Sequence, residues 1–180
     1  MTKAKKFVFY LFAKWFRLLV IFNYYTFNKK YLYYIDIDNT LAHTYPTLLK
    51  KEISEAKRLR NLTPHINIVN LLKKCANRNR KYIFISARSY LQYPNTIFWL
   101  RQQGFKAHFY NTILVETPKE KVNLIEKYYF PYKTIVIDDL TYNHEYGQVL
   151  FYNEEIQKLL SLRVKYIGYN IISKLIAVNP

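Results

Sequence analysis

The sequence predicts an α/β domain in which helices cover both faces of a parallel β-sheet. Three short runs rich in aromatic and β-branched residues, at about 31–37, 81–86 and 133–137, have the composition of buried strands. The stretches between them carry helical periodicity and residues that suit helix ends. Strands that alternate with helices along a chain are typical of a parallel sheet.

The helices predicted between and around these strands are residues 48–60, a helix begun by Thr63 and Pro64, residues 95–103, and residues 118–129. Thr63 suits an N-cap, Pro64 suits the first helical position, and Gly104 suits the position just past a helix end. One or two short strands fall within 107–115. After residue 140 the pattern weakens, and it predicts a strand in QVLFY, a helix in EEIQKLL and a strand in VKYIGY.

The composition excludes several classes of protein. The chain has 180 residues, of which 51% are hydrophobic, so it is too apolar for a disordered chain. A single cysteine cannot form an internal disulfide, and the histidines lack metal-ligand spacing. No Gly-rich phosphate loop is present, which argues against a P-loop kinase. The net charge of +16 indicates a nucleic acid or an anionic membrane as partner, or else reflects AT-rich codon bias.

Residues 1–30 form a basic, apolar segment that precedes a predicted domain of residues 31–180. The segment has no acidic residue, and on a helix four of its cations fall on one narrow face: Lys3, Lys6, Lys14 and Arg17. This pattern favours a helix that lies in the interface of an anionic membrane, and hence a cytoplasmic protein peripheral to the inner face of the membrane. Packing on the core of the domain and a membrane-spanning helix are the alternatives.

All four aspartates of the chain follow predicted strands. They form two pairs, Asp36 with Asp38 and Asp138 with Asp139, and Ser86 ends the strand predicted between them. Because ligands of an open parallel sheet bind outside the carboxyl ends of its strands, we expect these side chains to meet in one crevice. Carboxylates this close repel one another unless a cation joins them, and an oxygen-only ligand set favours Mg²⁺.

These residues resemble the motifs of the haloacid dehalogenase (HAD) superfamily of phosphatases. The run DIDNT at 36–40 resembles the first motif, DxDx[TV]. Ser86, in IFISAR, is similar to the second motif, a Ser or Thr after an apolar strand. Asp138 and Asp139 are similar to the fourth, an acidic pair after another apolar strand.

The third motif of the superfamily is a lysine near a helix start, some twenty residues before the acidic pair. Lys119 fits it best, and Lys121 is the alternative. All four motifs occur in the family's order, and the resemblance covers about residues 31–140.

The resemblance implies a HAD-like, Rossmann-type, three-layer α/β/α fold and Mg²⁺-dependent hydrolysis of phosphomonoesters through an aspartyl-phosphate. It implies that Asp36 is the nucleophile and that Asp38 is the general acid and then the general base. Ser86 and Lys119 would bind the phosphoryl group, with Thr40 and Arg88 as further substrate contacts. The implied metal ligands are Asp36, Asp38 through its backbone carbonyl, Asp138 and Asp139.

The motif spacing bears on the substrate. Asp36 and Ser86 are 50 positions apart, and Ser86 and Lys119 are 33 apart, so neither gap holds a globular cap domain. The run SAR and the following helix resemble the capless, polynucleotide 3′-phosphatase-like branches. An open crevice suits a bulky substrate, such as a nucleic-acid end, a protein phosphosite or a lipid-linked glycan. A small sugar or nucleotide phosphate is the alternative, because a few loops can replace a cap. The alternative functions are a polynucleotide-end or nucleotide phosphatase and a catalytically idle binding protein of the same fold.

Overall fold

The structure, a computed structural model, describes residues 3–49, 52–76 and 79–177, with side chains from residue 6 onward. The helices are α1 (Lys3–Tyr25), α2 (Glu55–Arg60), α3 (Ile66–Cys75), α4 (Tyr93–Gln102), α5 (Pro118–Lys127), α6 (Asn153–Ser161) and α7 (Tyr169–Ala177). The strands are β1 (Tyr31–Ile35), β2 (Ala42–His43), β3 (Thr63–Pro64), β4 (Arg80–Ala87), β5 (Thr112–Val115), β6 (Thr134–Ile137), β7 (Thr141–Tyr142), β8 (Leu150–Phe151) and β9 (Lys165–Ile167).

Five of these strands form one parallel sheet in the order β5-β4-β1-β6-β9. In the central strand β1, Tyr34 pairs with Ile83 of β4 on one side and with Val136 of β6 on the other. The chain first adds strands on one side of β1 and then adds strands on the other side. Such a switch point leaves a crevice at the carboxyl ends of the strands, beside β1.

The side chains of β1 show how the sheet is covered. Leu32 and Tyr34 pack in one core layer with α1, α5 and α6, whereas Tyr33 and Ile35 pack in a second layer with α2, α3, α4 and α7. All four side chains are buried, as expected for the central strand of a sheet with helices on both faces. The predicted three-layer α/β/α fold class is therefore confirmed.

The predicted helix 48–60 is shorter in the structure. It begins only at Glu55, because the side chain of Ser54 caps it by accepting a hydrogen bond from the Lys57 amide. Residues 50 and 51 of that prediction lie outside the described residues.

The predicted N-cap at Thr63 is wrong. Thr63 and Pro64 form strand β3, which pairs with β2, and α3 begins at Ile66. Near the C-terminus, the predicted QVLFY strand is reduced to β8, which pairs with β7 outside the main sheet. The predicted EEIQKLL helix and VKYIGY strand correspond to α6 and β9.

The crevice has no separate domain above it within the described residues. Between β1 and β4 those residues form only α2, α3, the β2–β3 pair and a short 3₁₀ turn. Between β4 and α5 they form a second 3₁₀ turn, α4 and β5. The short spacings between the motifs correctly predicted this absence of a cap.

Helix α1 packs lengthwise on the first core layer. Phe16, Leu19 and Val20 are buried there. The face of α1 that carries these residues, its inner face, therefore packs on the core of the domain, which was one of the alternatives. The segment Lys6–Tyr25 is also long and apolar enough, by length and composition, to cross a membrane. The side chain of Lys3, which the sequence placed on the basic face, lies outside the described side chains.

Candidate active site

The carboxyl ends of three adjacent strands bring the predicted site residues together. Asp36 directly follows β1, and Asp138 and Asp139 directly follow β6. Ser86 is the last residue but one of β4. The Asp36 amide donates to the carbonyl of Ile137 at 2.9 Å, which continues the β1–β6 ladder to the site. Parallel pairing thus places residues that are a hundred positions apart in sequence at one edge of the sheet.

Lys121 joins the two aspartate pairs. Its ammonium nitrogen lies 2.7 Å from Asp36 Oδ1 and 2.6 Å from Asp138 Oδ2, and all three side chains are buried. The Asp138 carboxylate also accepts a 3.1 Å hydrogen bond from the Leu140 amide. Charge-assisted contacts of this length hold Asp36 in a fixed orientation at the floor of the crevice.

A third carboxylate completes this group without a cation of its own. Oxygen atoms of Asp36, Asp138 and Asp139 all lie within 4.8 Å of one another. Burial, with repulsion between the carboxylates, raises the pKa of Asp36 to about 7 and that of Asp139 to about 7. Burial also raises the pKa of Asp138. Above neutral pH, where these groups ionise, three carboxylates share one ammonium group.

The donor set of this group fits a hard divalent cation. Its ligand atoms are carboxylate oxygens, and their combined charge exceeds that of Lys121. Burying uncompensated carboxylates is costly, so a bound cation would stabilise the ionised cluster. Oxygen ligands and excess negative charge are the features that Mg²⁺ prefers.

Threonine side chains orient Asp139. The Thr40 hydroxyl donates to Asp139 Oδ1 at 3.0 Å and accepts from the Asp139 amide at 3.1 Å. The Thr141 hydroxyl donates to Asp139 Oδ2, so the 2.6 Å contact between Thr141 and His144 Nε2 requires that nitrogen to donate. The structure therefore places Thr40, predicted to contact substrate, against a proposed metal ligand.

Asp38 occupies a different environment. Arg88 binds its carboxylate with two nitrogens, Nε at 2.6 Å and Nη2 at 2.7 Å. Ser86 donates to Oδ2 at 2.9 Å and Thr44 donates to Oδ1 at 2.7 Å. Burial opposes ionisation of Asp38, but the Arg88 charge and these hydrogen bonds outweigh it and lower the pKa to about 2.

The choice of lysine is corrected by the structure. Lys119 was predicted as the site lysine, but its side chain is exposed in the first turn of α5. Lys121 is buried in the site instead. Helical side chains lean toward the helix N-terminus, so a residue one turn inside α5 reaches back to the strand ends. The sequence does hold a signal for this: Lys121 precedes Leu124 and Ile125 by three and four positions, on the buried face.

The Asp38 carboxylate lies apart from the cluster of carboxylates that could hold a metal. It is held by Arg88, Ser86 and Thr44 and is not one of the three that cluster. The resemblance assigned only the backbone carbonyl of Asp38 to the metal, and that assignment stays a prediction.

Three site residues were missed by the sequence analysis. The Thr44 hydroxyl donates to Asp38 and the Thr141 hydroxyl donates to Asp139, whereas His144 contacts Thr141 through Nε2. Thr141 lies two positions after Asp139, where a hydroxyl commonly bonds a neighbouring carboxylate, and this was a usable signal. Thr44 and His144 reach the site through turns whose path the sequence does not specify.

The four aspartates, Lys121 and Arg88 all line a cleft of about 310 Å³ that is open to solvent. Its floor is formed by Asp36, Lys121 and Asp138, and its walls include Arg58, Arg88 and Tyr142. Arg88 is fixed from behind, because its third nitrogen, Nη1, donates to Thr96 at 3.2 Å. Lys121 at the floor and Arg88 on the wall thus place positive charge at two positions in the cleft, and the aspartates lie between them.

Comparisons with known proteins give a distant structural likeness. A scan against protein-family models finds no match, and a search of the curated proteins finds none. Among solved structures, the chain is similar to a class C acid phosphatase from Bacillus anthracis, whose crystal structure has tungstate bound. The likeness has a TM-score of 0.47 and 13% sequence identity, and it covers 96% of this chain and 88% of that one.

Lys121→Met tests the charge balance of the site. Removing one partner of a buried ion pair costs about 3–5 kcal/mol, and we expect the free energy of unfolding to fall by that amount at about pH 8. The loss shrinks at about pH 5, since carboxylates with raised pKa values are protonated there and the folded state gains protons. Urea unfolding at the two pH values measures both effects.

The matched control is Lys119→Met, which alters an exposed lysine on the same helix. Its effect on stability is expected to stay within about 0.5 kcal/mol at either pH. Equal losses for the two variants would contradict the assignment of Lys121 to the site.

Proposed function

We propose that this chain is a Mg²⁺-dependent phosphomonoester hydrolase of the HAD type, which acts through an aspartyl-phosphate on Asp36. The observation that carries the proposal is the pairing of Asp36 with Lys121 inside a cluster of three buried carboxylates. Asp38, two residues away, lies in a separate charge environment, as two carboxylates with different tasks require.

The proposed residues of the metal site are Asp36, Asp138 and Asp139, with the Asp38 backbone carbonyl. When bound, Mg²⁺ supplies positive charge beside the phosphoryl oxygens. Phosphoryl transfer depends mainly on positioning and on such charge, and the Lys121 ammonium beside Asp36 would add to it.

Asp36 is the proposed nucleophile. Its carboxylate oxygen bonds to phosphorus while the bond from phosphorus to the leaving oxygen breaks, and Asp38 gives that oxygen a proton. In the second step Asp38 takes a proton from water. The water oxygen then bonds to phosphorus, and the bond between phosphorus and Asp36 breaks, which releases inorganic phosphate and restores the Asp36 carboxylate.

Arg88 links substrate binding to the proton transfer. In the resting site it holds Asp38 ionised, and an ionised carboxylate has no proton to give. Phosphate oxygens bind arginine in the same two-pronged manner as a carboxylate does. A phosphoryl group that engages Arg88 therefore loosens Asp38, which then takes up a proton from solvent and serves as the acid.

The open cleft suits phosphomonoesters whose alcohol part extends into solvent. A phosphorylated sugar, a nucleotide, a nucleic-acid end, a protein phosphosite and a lipid-linked glycan are the proposed candidates, and a panel of these esters distinguishes among them. No turnover of any of them with Mg²⁺ would favour the alternative of a catalytically idle binding protein.

Two variants separate the steps on an aryl phosphate. We expect Asp36→Asn to abolish hydrolysis and to form no phosphoenzyme, because the amide cannot attack phosphorus. Asp38→Asn is expected to slow turnover by about 10²–10⁴-fold. Because an aryl oxide leaves without a proton, this variant accumulates the phosphorylated chain. Rapid quenching and mass spectrometry of the intact protein measure both outcomes.

Phosphoenzyme in the Asp36→Asn variant would place the nucleophile elsewhere. Full activity of Asp38→Asn would remove the proton-transfer role from that residue. Circular dichroism of both variants serves as the control for folding.

Arg88→Ala tests the proposed contact with the phosphoryl group. Losing charge-assisted hydrogen bonds costs about 1.5–3 kcal/mol, so KM is expected to rise by about ten- to a hundredfold. Arg88→Lys keeps the charge but not the two-pronged geometry, and its KM should fall between those of the wild type and the alanine variant.

Steady-state kinetics on the aryl phosphate give these constants. Arg163→Ala, which removes an exposed arginine distant from the cleft, controls for the change in net charge. An unchanged KM in Arg88→Ala would show that Arg88 only holds Asp38.

A further inference from the structure

Helix α1 presents a continuous apolar stripe to solvent. The stripe, called here the outer face of α1, consists of residues spaced alternately by three and four positions: Val8, Leu11, Trp15, Leu18, Phe22 and Tyr25. Their side chains are between 41% and 78% exposed. A patch of this kind on a folded domain marks a surface that contacts another apolar phase.

The inner face of the same helix is already occupied. Phe16 is buried, and its ring lies 5.5 Å from the ring of Tyr90 and 5.0 Å from that of Tyr93. Leu19 and Val20 are buried in the same core layer. The outer face is therefore not the side by which α1 packs on its own domain.

Basic residues flank the outer face along one edge. Lys6, Lys14 and Arg17 are exposed there, and the chain contains no acidic residue before Asp36. A nearby acid is Glu120 of α5, which lines the same surface depression as Lys14 and Arg17. Its carboxylate accepts a hydrogen bond from the Glu116 amide, and the three cations outnumber it.

We propose that the outer face of α1 binds the surface of an anionic phospholipid bilayer. The helix lies flat in the interface, with its apolar stripe among the acyl chains near the headgroups and its basic edge on the lipid phosphates. Trp15 and Tyr25 are side chains that favour this depth, because they join an apolar ring to a polar group.

A membrane-spanning arrangement fits the structure less well. To cross a bilayer, α1 would have to leave the domain and uncover the core around Phe16 and Tyr90. It would also carry Lys14 and Arg17 into the hydrocarbon, where charge is costly.

A second copy of the chain is also a poorer occupant. Two α1 helices packed antiparallel through their outer faces would bring their basic edges to the same side, with no acid on the helix to compensate. Like charges at such an edge destabilise the pairing. Anionic lipid supplies the charge that a second copy lacks.

The proposed orientation of α1 on the bilayer also determines where the active-site cleft lies relative to the lipid. Phe9 and Phe12, near the start of α1, contact Tyr90, which follows the carboxyl end of β4. Tyr24, near its end, contacts Phe130, which precedes β6. The helix therefore runs antiparallel to the strands, and its first half lies at the cleft end of the sheet. On a bilayer the cleft would therefore lie at the end of the sheet where α1 begins.

The test uses the full-length chain and phosphatidylcholine vesicles in which about one-third of the lipid is phosphatidylglycerol. We expect the chain to sediment with these vesicles, to bind pure phosphatidylcholine at least about tenfold more weakly, and to be released by high salt. Brominated lipids are expected to quench Trp15. Trp99 is fully buried, with its indole nitrogen bonded to the Leu62 carbonyl, and stays unquenched.

Variants of exposed residues locate the contact without disturbing the core. The double variant Leu11→Gln with Leu18→Gln is expected to bind the anionic vesicles at least about tenfold more weakly. The matched control is Leu160→Gln, which removes a similarly exposed leucine, 58% accessible, from α6. It should bind as the wild type does.

The proposal is overturned if the wild type does not bind anionic vesicles, or if the double variant binds them as well as the wild type does. It is also overturned if the chain ignores vesicles but dimerises in solution through the outer face, with the double variant monomeric. Hydrolysis of a soluble aryl phosphate is measured separately, so loss of activity and loss of membrane binding are distinguishable.

Discussion

Three buried carboxylates share one ammonium group at the carboxyl ends of β1 and β6. Asp36 and Asp138 are both paired with Lys121, whereas Asp139 accepts hydrogen bonds from the hydroxyls of Thr40 and Thr141. Burial of unpaired charge is costly, so the ionised cluster calls for another cation. The central position of β1 and its parallel pairing on both sides create this concentration of charge, and the cleft above it opens at the same edge.

Asp36 and Asp38 lie in different electrostatic environments, although they are two positions apart. Burial among carboxylates raises the pKa of Asp36, whereas Arg88 and two hydroxyls lower that of Asp38. Carboxylates whose environments push their pKa values apart are suited to different roles in one reaction. In the proposed mechanism, the Arg88 contact makes the protonation of Asp38 depend on what else binds the guanidinium, so that proton transfer follows the arrival of an anion.

The strands and the four aspartates could be predicted from the sequence because both depend on local patterns. An apolar run that ends in a polar pair predicts a strand and the edge at which its last residues lie. The choice between Lys119 and Lys121 depends on the direction in which α5 projects its side chains. Thr44 and His144 could not be predicted, since they reach the site through turns whose path is determined by tertiary packing. The face of α1 that packs on the core could not be predicted either, because the helix is apolar on almost every side.

The central claim is that Asp36 accepts a phosphoryl group beside a bound Mg²⁺. Fluorine NMR with beryllium fluoride tests this directly, because BeF₃⁻ binds an aspartate carboxylate as a stable mimic of the phosphoryl group. The account predicts a signal from protein-bound BeF₃⁻ that requires Mg²⁺ and is lost in Asp36→Asn. Absence of a bound signal in the presence of Mg²⁺, or a signal that persists in Asp36→Asn, would contradict it.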